Sequence, residues 1–268
     1  MTTLQVAELW VYPVKSCRGI PLDGASVGPR GLRWDRHWMV VDGAGRFLTQ
    51  RQLPAMATIA PAVTAEALVL RARGMPDLEL PHGAGADEVA VTVWNDTVPA
   101  RAVSVGADRW LSKHLGTDCR LVEFPETVRR PVDPAYGAPG DETEFSDGFP
   151  LLLIGQGSLD GLNERLARPI PMRRFRPNLV IAGAGPHAED GWRRIRVGPV
   201  GLRLVKPCSR CAITTVDPER GVRDDGEPLE TLASYRRRNG KVYFGQNVIP
   251  DGAGQIRVGD AVTIAEAA

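Results

Sequence analysis

The amino-acid sequence predicts a β-rich α+β protein that consists of two lobes and contains only a few helices. In the first part of the chain, short runs rich in β-branched residues recur about every 8–12 residues with turn residues between them, which is typical of a sandwich or barrel. In the second part, similar runs alternate with segments of helical periodicity. A chain of 268 residues can form two modest domains with their own cores. We therefore expect one domain over residues 1–117 and a second over residues 118–268.

The predicted first domain is made of strands and one short helix. Residues 37–41 and 47–49 flank the segment Asp42-Gly-Ala-Gly-Arg46, which is a strong hairpin signal. A helix over residues 108–115 ends at Gly116, a residue suited to a left-handed C-cap. The remaining strands of this domain are predicted over residues 4–12, 58–64, 67–72, 88–94 and 98–105.

A loop rich in proline and glycine, roughly residues 129–140, leads into a second part of mixed structure. Ser158 is placed to cap a helix whose Leu159, Leu162 and Leu166 share one face. The other elements predicted here are a helix over 229–235, a hairpin over 195–205 that turns at 198–201, and strands over 151–154 and 178–182, near 242, and over 255–258 and 262–264.

Composition restricts the classes of function. The formal net charge is +1 and aromatic residues make up 6% of the chain, so we expect binding to neither nucleic acid nor membrane surfaces. The longest strongly apolar run, residues 149–155, is far too short to cross a bilayer, and the N-terminus has no signal-peptide pattern. Four cysteines are too few for a disulfide scaffold of this size. These features lead us to expect a cytoplasmic protein whose cationic sites are local.

The segment from Lys206 to Pro218 contains the most informative pattern, Cys208-Ser-Arg-Cys211. Such a pair fits a redox dithiol, half of a zinc site or an anchor for a soft-metal cofactor. The β-branched run 213–216 predicts that Cys211 opens a strand, whereas a thioredoxin-type dithiol needs a helix N-terminus. A zinc site needs a second pair of ligands, but the other cysteines are isolated and the histidines have no metal spacing. We favour the cofactor anchor and leave the other two interpretations open.

Several cationic and hydroxyl side chains lie beside predicted strand ends and turns. Together they suit a phosphate-bearing ligand, because a dianion is held best by several charge-assisted donors. Their positions in the chain leave open whether they converge. The charged donors are Lys15, Arg36, Arg176 and Arg210, and the neutral ones are Ser16, Asn178 and Ser209.

Six short motifs follow one another along the chain, namely Tyr12-Pro-Val-Lys-Ser-Cys17, Asp35-Arg-His-Trp38, Phe145-Ser-Asp147, Phe175-Arg-Pro-Asn178, Cys208-Ser-Arg-Cys211 with Thr214-Thr-Val-Asp-Pro218, and Phe244-Gly-Gln-Asn247. In this order they resemble the motifs of the MOSC family, most closely its amidoxime-reducing component branch, which includes bacterial reductases of N-hydroxy compounds. The resemblance covers nearly the whole chain. It implies a β-barrel N-terminal domain packed on a MOSC β-barrel domain with a few helices.

The resemblance also implies a molybdenum cofactor of the molybdopterin type, whose metal is bound by one protein thiolate. The family's ligand is the cysteine that precedes the Thr-Thr-Val-Asp segment, hence Cys211, and the neighbouring Arg210 would favour its deprotonated form. Asp147 matches an acidic position near the metal, with a role in pterin contact or proton handling. The residues that match cofactor-holding positions are Lys15, Ser16, Arg36, Ser146, Arg176, Pro177, Asn178, Ser209 and Arg210.

The implied reaction is the two-electron reduction of the N–OH bond of a small N-hydroxylated compound to N–H and water, with two protons. The chain lacks the cysteine pattern of a plant-type ferredoxin, so we expect electrons from a separate donor protein, ferredoxin- or flavoprotein-like. The alternative is a protein that carries the cofactor or a persulfide sulfur without turnover, as in the MOSC domains of cofactor sulfurases. We expect no pyridoxal-phosphate sulfurase domain and no membrane anchor in this chain.

Overall fold

A computed structural model of the protein describes residues 3–85 and 87–267. Strands dominate it, which confirms the predicted β-rich α+β class. The helices found in these residues are α1 (Val105–Leu115), α2 (Gln156–Asn163) and α3 (Leu229–Arg236), and none of them is long and apolar enough to cross a membrane. The strands are β1 (Gln5–Val11), β2 (Ile20–Leu22), β3 (Gly24–Gly28), β4 (Gly31–Leu32), β5 (Trp38–Val41), β6 (Ala60–Val63), β7 (Ala67–Arg71), β8 (Leu78–Pro81), β9 (Glu88–Val93), β10 (Asp96–Ala102), β11 (Arg120–Glu123), β12 (Leu151–Gly155), β13 (Leu179–Ala182), β14 (Trp192–Val197), β15 (Val200–Ser209), β16 (Val216–Asp217), β17 (Val222–Arg223), β18 (Arg237–Arg238), β19 (Lys241–Pro250), β20 (Gly254–Arg257) and β21 (Val262–Ala267).

The largest sheet joins the beginning of the chain to its second half. It has nine strands in the order β2-β1-β13-β12-β19-β15-β14-β21, with β18 paired to β19 at the side. β1 is antiparallel to β13, and β12 runs parallel to β13. Apolar side chains of these strands, among them Leu9, Leu153, Ile181 and Val248, form one buried core. Their removal from water stabilises the sheet, and it sets the register that carries the site described below.

A second sheet has four strands in the order β5-β11-β10-β9. β5 lies in the predicted first domain, but its neighbour β11 follows the predicted boundary at residue 117. Trp110 and Leu111 of α1 share a buried core with Trp38 of β5 and Leu121 of β11. Strands from the two predicted halves therefore pair in both sheets. The division near residue 117 stays a prediction.

The hairpin predicted across residues 42–46 is present. The backbone N–H of Asp42 donates to the carbonyl of Arg46 at 2.8 Å, and Gly45 N–H donates to the carbonyl of Asp42 at 3.0 Å. Gly45 has a φ of 76°, and a Cβ atom there would lie 2.8 Å from the carbonyl oxygen of Ala90. Glycine is required at this turn because both the left-handed backbone and the close approach exclude a side chain.

The predicted helix of the first part is also present, and its end is where the sequence places it. Gly116 is its C-cap with a left-handed φ of 69°. The helix begins at Val105, earlier than predicted, because the Ser104 hydroxyl accepts a hydrogen bond of 3.1 Å from Ala107 N–H. The strand predicted over 98–105 accordingly ends at Ala102.

The helix predicted after the 151–154 strand exists, but Ser158 does not cap it. α2 begins at Gln156, two residues before Ser158. The buried Ser158 hydroxyl instead donates to the Glu189 carboxylate at 2.8 Å and accepts from His187 N–H at 2.8 Å. The capping prediction is wrong because a serine in a capping pattern gives no sign of a buried carboxylate that arrives from far along the chain.

Candidate cofactor site

Loops at the ends of several strands meet around one cleft. They follow β1, precede β5, β12 and β13, and leave the end of β15. The cleft has a volume of about 130 Å³. Of the predicted site residues, only Pro177 is not among those that line it. The lining includes Lys15, Ser16, Arg36, Ser146, Asp147, Arg176, Asn178, Ser209, Arg210 and Cys211.

Cys211 does not open a strand, contrary to the prediction. β15 ends at Ser209, and Cys211 is the N-cap of a single 3₁₀ turn, Ala212–Thr215. The Thr214 hydroxyl donates to the carbonyl of Cys211 at 3.0 Å, and the Thr215 hydroxyl donates to the carbonyl of Ala212 at 2.8 Å. These bonds satisfy backbone carbonyls that a strand would pair across a ladder, so the threonines favour the turn despite their β propensity. The turn leaves the Cys211 side chain exposed at the cleft.

Arg210 lies between the two thiols and contacts Cys208. Its Nη1 donates to the Sγ atom of Cys208 at 3.0 Å, and its Nη2 donates to the carbonyl of Phe175 at 2.7 Å. All four cysteines are free, and Cys208 is half-buried in the wall of the cleft. Within the described residues, no three His, Cys, Asp or Glu side chains come together as ligands for a metal ion. The sequence led us to expect Arg210 to act on the Cys211 thiol, whereas its guanidinium donates to the Sγ atom of Cys208.

The guanidinium groups of two arginines of the cleft, Arg36 and Arg176, both lie over the buried ring of Tyr12. The guanidinium carbon atoms of Arg36 and Arg176 are 4.4 and 4.3 Å from the centre of the Tyr12 ring. Burial lowers the pKa of Arg176 to about 10, helped by the charge of Arg36, so the Arg176 side chain remains cationic at neutral pH. Arg36, Arg176 and Ser16 have φ angles of 52°, 57° and 68°. Left-handed backbone at three non-glycine positions is strain of the kind that accumulates at functional sites.

Asn178 connects the cleft to the main sheet. Its Oδ1 accepts hydrogen bonds of 3.1 Å from Leu152 N–H and from Arg36 Nη1, and its Nδ2 donates to the carbonyl of Trp10 at 3.1 Å. Its side chain is 1% exposed. These bonds leave at most one amide hydrogen for a ligand. Asn178 therefore holds β1, β12 and Arg36 in place.

Lys15 and Asp147 form an ion pair at the mouth of the cleft. The Lys15 ammonium also donates to the carbonyl of Phe145 at 2.7 Å, and Trp94 Nε1 donates to the Asp147 carboxylate at 3.1 Å. Burial lowers the pKa of Lys15, against the opposing charge of Asp147. The surrounding protein disfavours ionisation of Asp147, but Lys15 outweighs this and brings the pKa of Asp147 below its usual range. Asp147, 63% exposed, is thus a carboxylate at neutral pH.

Several residues of the cleft were not predicted from the sequence. Arg51 lines it and lies over the Trp94 ring, with the guanidinium 4.6 Å from the ring centre. Trp94 stands in the turn between β9 and β10, is 46% exposed, and has a left-handed φ of 56°. A tryptophan in a tight turn is the one sequence signal that could have indicated Trp94. The other unpredicted lining residues with polar side chains are Thr49, Thr214 and Asn247.

The donor set of the cleft matches a phosphate-bearing group whose metal is bound by a thiolate. In the described chain, five cationic side chains and one carboxylate line the cleft, so the lining carries an excess of positive charge. Arg176 Nη2 and Arg210 Nε are buried and have no hydrogen-bond acceptor among the described residues. Guanidinium groups with spare N–H donors suit an oxyanion, and an exposed thiol suits a soft metal.

Comparison with known proteins identifies the family of this chain. The model of the MOSC N-terminal beta barrel domain matches residues 3–118, and that of the MOSC domain matches residues 140–263. The chain is 38% identical over 276 residues to mitochondrial amidoxime-reducing component 1 of Mus musculus, covering 96% of this chain and 81% of that protein. The identity to the same component of Homo sapiens is also 38%, over 96% of this chain and 82% of that protein.

Among solved structures, the YUAD protein of Bacillus subtilis aligns with 97% of this chain and 94% of its own, at 11% identity and a TM-score of 0.42. The level of identity to the two mammalian proteins over almost the full chain confirms the resemblance inferred from the six motifs. This chain belongs to the MOSC family, in its amidoxime-reducing component branch.

Proposed function

We propose that this protein is a molybdenum-cofactor-dependent reductase of N-hydroxylated compounds. One observation carries the proposal: an exposed thiol, Cys211, stands in a cleft with five cationic side chains, in a chain of the amidoxime-reducing component branch. The mammalian relatives carry amidoxime reduction in their names. The reaction converts an N–OH group, two electrons and two protons into N–H and water.

The residues of the cleft divide the work of holding the cofactor. Arg36, Arg176 and Arg210 supply charge-assisted donors for its phosphate and pterin oxygens, and Ser16 and Ser209 supply hydroxyl groups. Cys211 is the protein's thiolate ligand to the metal, because it is the exposed thiol of the pair. When bound, the cofactor would supply the two-electron redox chemistry of the reaction.

Lys15 and Asp147 form the ion pair at the mouth of the cleft. Since the pKa of Asp147 lies below its usual range, the group is ionised at neutral pH and is poorly suited to deliver a proton. We therefore assign Asp147 the role of holding the Lys15 ammonium in the cleft, together with Trp94. Of the two roles expected for Asp147, pterin contact and proton handling, this argues against the second.

Metal analysis and turnover test the proposal together. Protein from a host that makes molybdenum cofactor should contain molybdenum and should reduce benzamidoxime with a chemically reduced viologen as electron donor. Cys211→Ala should lose both by more than the roughly 10–100-fold expected when a residue outside the metal's ligands is changed. Cys119→Ala changes a buried thiol that does not line the cleft; it is the matched control and should keep both.

Variants of the two cleft thiols, Cys208 and Cys211, distinguish which of them binds the metal. Cys208→Ala should retain the metal, since Arg210 holds this sulfur in the present arrangement. Loss of molybdenum in Cys208→Ala but not in Cys211→Ala would move the ligand to Cys208. Protein that binds the cofactor but never turns over would instead support the carrier function, and a persulfide found on either cysteine by mass spectrometry would identify sulfur as the cargo.

The electrons are proposed to come from a separate donor protein of the ferredoxin or flavoprotein kind. Reduction of an N-hydroxylated compound by purified protein with NADH alone would contradict this, whereas dependence on added donor protein supports it.

A further inference from the structure

A second cavity adjoins the cleft through Arg176, whose side chain lines both. We call it the arginine cavity and define it by Tyr12, Arg18, Arg173, Arg174 and Arg176. It has a volume of about 220 Å³, which is larger than a phosphate ion. Four guanidinium groups and no carboxylate belong to the described residues that line it. None of the residues predicted to hold the cofactor, apart from Arg176, belongs to it.

The acidic partners of these arginines lie outside the lining and take up only part of their donors. Glu219 pairs with Arg18 and, at 2.7 Å, with Nη1 of Arg173. Asp224 pairs with Nη2 of Arg174. Both carboxylates bind the tips of the guanidinium groups, so the Nε–H donors of the arginines are left for another acceptor.

Unpaired polar atoms concentrate at this cavity. Nine buried side-chain nitrogen and oxygen atoms in the described part of the chain have no hydrogen-bond partner. Three of them belong to residues that line the arginine cavity and not the cofactor cleft: Nε of Arg173, Nε of Arg174 and the hydroxyl of Tyr12. A buried polar group without a partner costs free energy, and most native proteins contain few. A cluster of such donors around one cavity indicates a missing acceptor with several oxygen atoms.

We propose that the arginine cavity is a second anion-binding site, distinct from the cofactor cleft, and that it takes the phosphate group of a small molecule. Phosphate offers several acceptor oxygens to the guanidinium forks of Arg173 and Arg174 and to the Tyr12 hydroxyl, whereas a carboxylate offers two. A volume several times that of the phosphate ion leaves room for the rest of a phosphate monoester. Because Arg176 belongs to both linings, an anion bound here changes the field that the cofactor cleft experiences.

Isothermal titration with inorganic phosphate, in chloride buffer of constant ionic strength, tests the site directly. Arg173 and Arg18 are 39% and 37% exposed, so their replacement by glutamine spares the core. In Arg173→Gln and in Arg18→Gln the phosphate Kd should rise by about tenfold or more, equivalent to about 1.4 kcal/mol. Arg193→Gln changes an exposed arginine of β14 and is the matched control, with less than about a twofold change.

Arg210→Gln separates the two sites, because Arg210 lines the cofactor cleft and not the arginine cavity. It should leave the phosphate Kd within about twofold of the wild-type value. Loss of binding in Arg210→Gln instead of Arg173→Gln would place the phosphate in the cleft and overturn the proposal. Unchanged binding in Arg173→Gln, or no heat at about 10 mM phosphate, would also overturn it. Thermal melting by circular dichroism establishes that each variant is folded.

The source of the phosphate group is distinguished by a second titration with adenosine 5′-monophosphate. Tighter binding of the ester assigns the cavity to a phosphate monoester, and tighter binding of inorganic phosphate assigns it to the free ion. Both results require the same loss in Arg173→Gln. The outcome does not depend on molybdenum content, so it stands or falls separately from the reductase activity.

Discussion

Replacing Asn178 with alanine removes the side chain that joins two strands to the cofactor cleft. The buried amide makes two neutral hydrogen bonds, to Trp10 and Leu152, and accepts one from the Arg36 guanidinium. Each neutral bond contributes about 1 kcal/mol and the charge-assisted one about 2 kcal/mol, and the backbone groups left behind are buried. We therefore expect Asn178→Ala to lower the free energy of unfolding by about 4 kcal/mol, a large part of the stability of a typical domain.

Urea unfolding followed by circular dichroism measures this loss. With a denaturant slope of about 3 kcal/mol/M, the midpoint should fall by about 1 M. Asn95→Ala, in the exposed turn between β9 and β10, is the matched control and should change stability by less than about 0.5 kcal/mol. If Asn178→Ala lowers the free energy of unfolding by less than about 1 kcal/mol, or if both variants lose the same amount, Asn178 does not hold the two strands and Arg36 in place.

Three further predictions concern a buried histidine, a thiol and a glycine inside β19. Burial alone would lower the pKa of His37, but its hydrogen bonds to Glu123 and Glu144 raise it to about 9 from 6.5. The ion cluster therefore stabilises the fold fully below pH 6.5, and this contribution is lost as pH rises to about 9; urea titrations should show that loss in the wild type and a flatter profile in His37→Gln. Iodoacetamide at neutral pH should label the exposed Cys211 first, as mass spectrometry would show, and early labelling of a buried thiol would contradict the burial. Gly245→Ala should lose about 2 kcal/mol in thermal melts, since a Cβ there would lie 2.6 Å from an isoleucine carbon at a φ of 80°, and an unchanged melting temperature would contradict this.

Local chemistry explains which elements were predictable. The 42–46 hairpin and the end of α1 at Gly116 follow from left-handed glycines, whose backbone preference acts within a few residues. β2, β3, β4, β8 and β11 lie in segments for which no strand was predicted. The turn at Cys211 was predicted as a strand from the β propensity of the residues that follow. The prediction failed because this propensity is weaker than the hydrogen bonds that Thr214 and Thr215 make to nearby carbonyls.

The sequence predicted most of the residues that line the cleft, whereas the role of each residue depends on the groups that it contacts in the fold. Arg210 was expected beside Cys211, yet its guanidinium is held by Cys208 and by Phe175. Arg51 carries no distinctive local pattern, and Trp94 has only its place in a tight turn; in the fold, the Arg51 guanidinium lies over the Trp94 ring.

By itself, the sequence determined the β-rich class, the approximate positions of many strands and the set of chemical groups that family motifs mark out. These depend on side-chain type, turn residues and short spacing, all of which act locally. Only the tertiary structure decided that Lys15 meets Asp147 across 132 positions, and that Arg36 meets Asn178 across 142. Such contacts follow from strand pairing over the whole chain, because the burial of the main sheet's apolar face sets the register that brings the loop ends together.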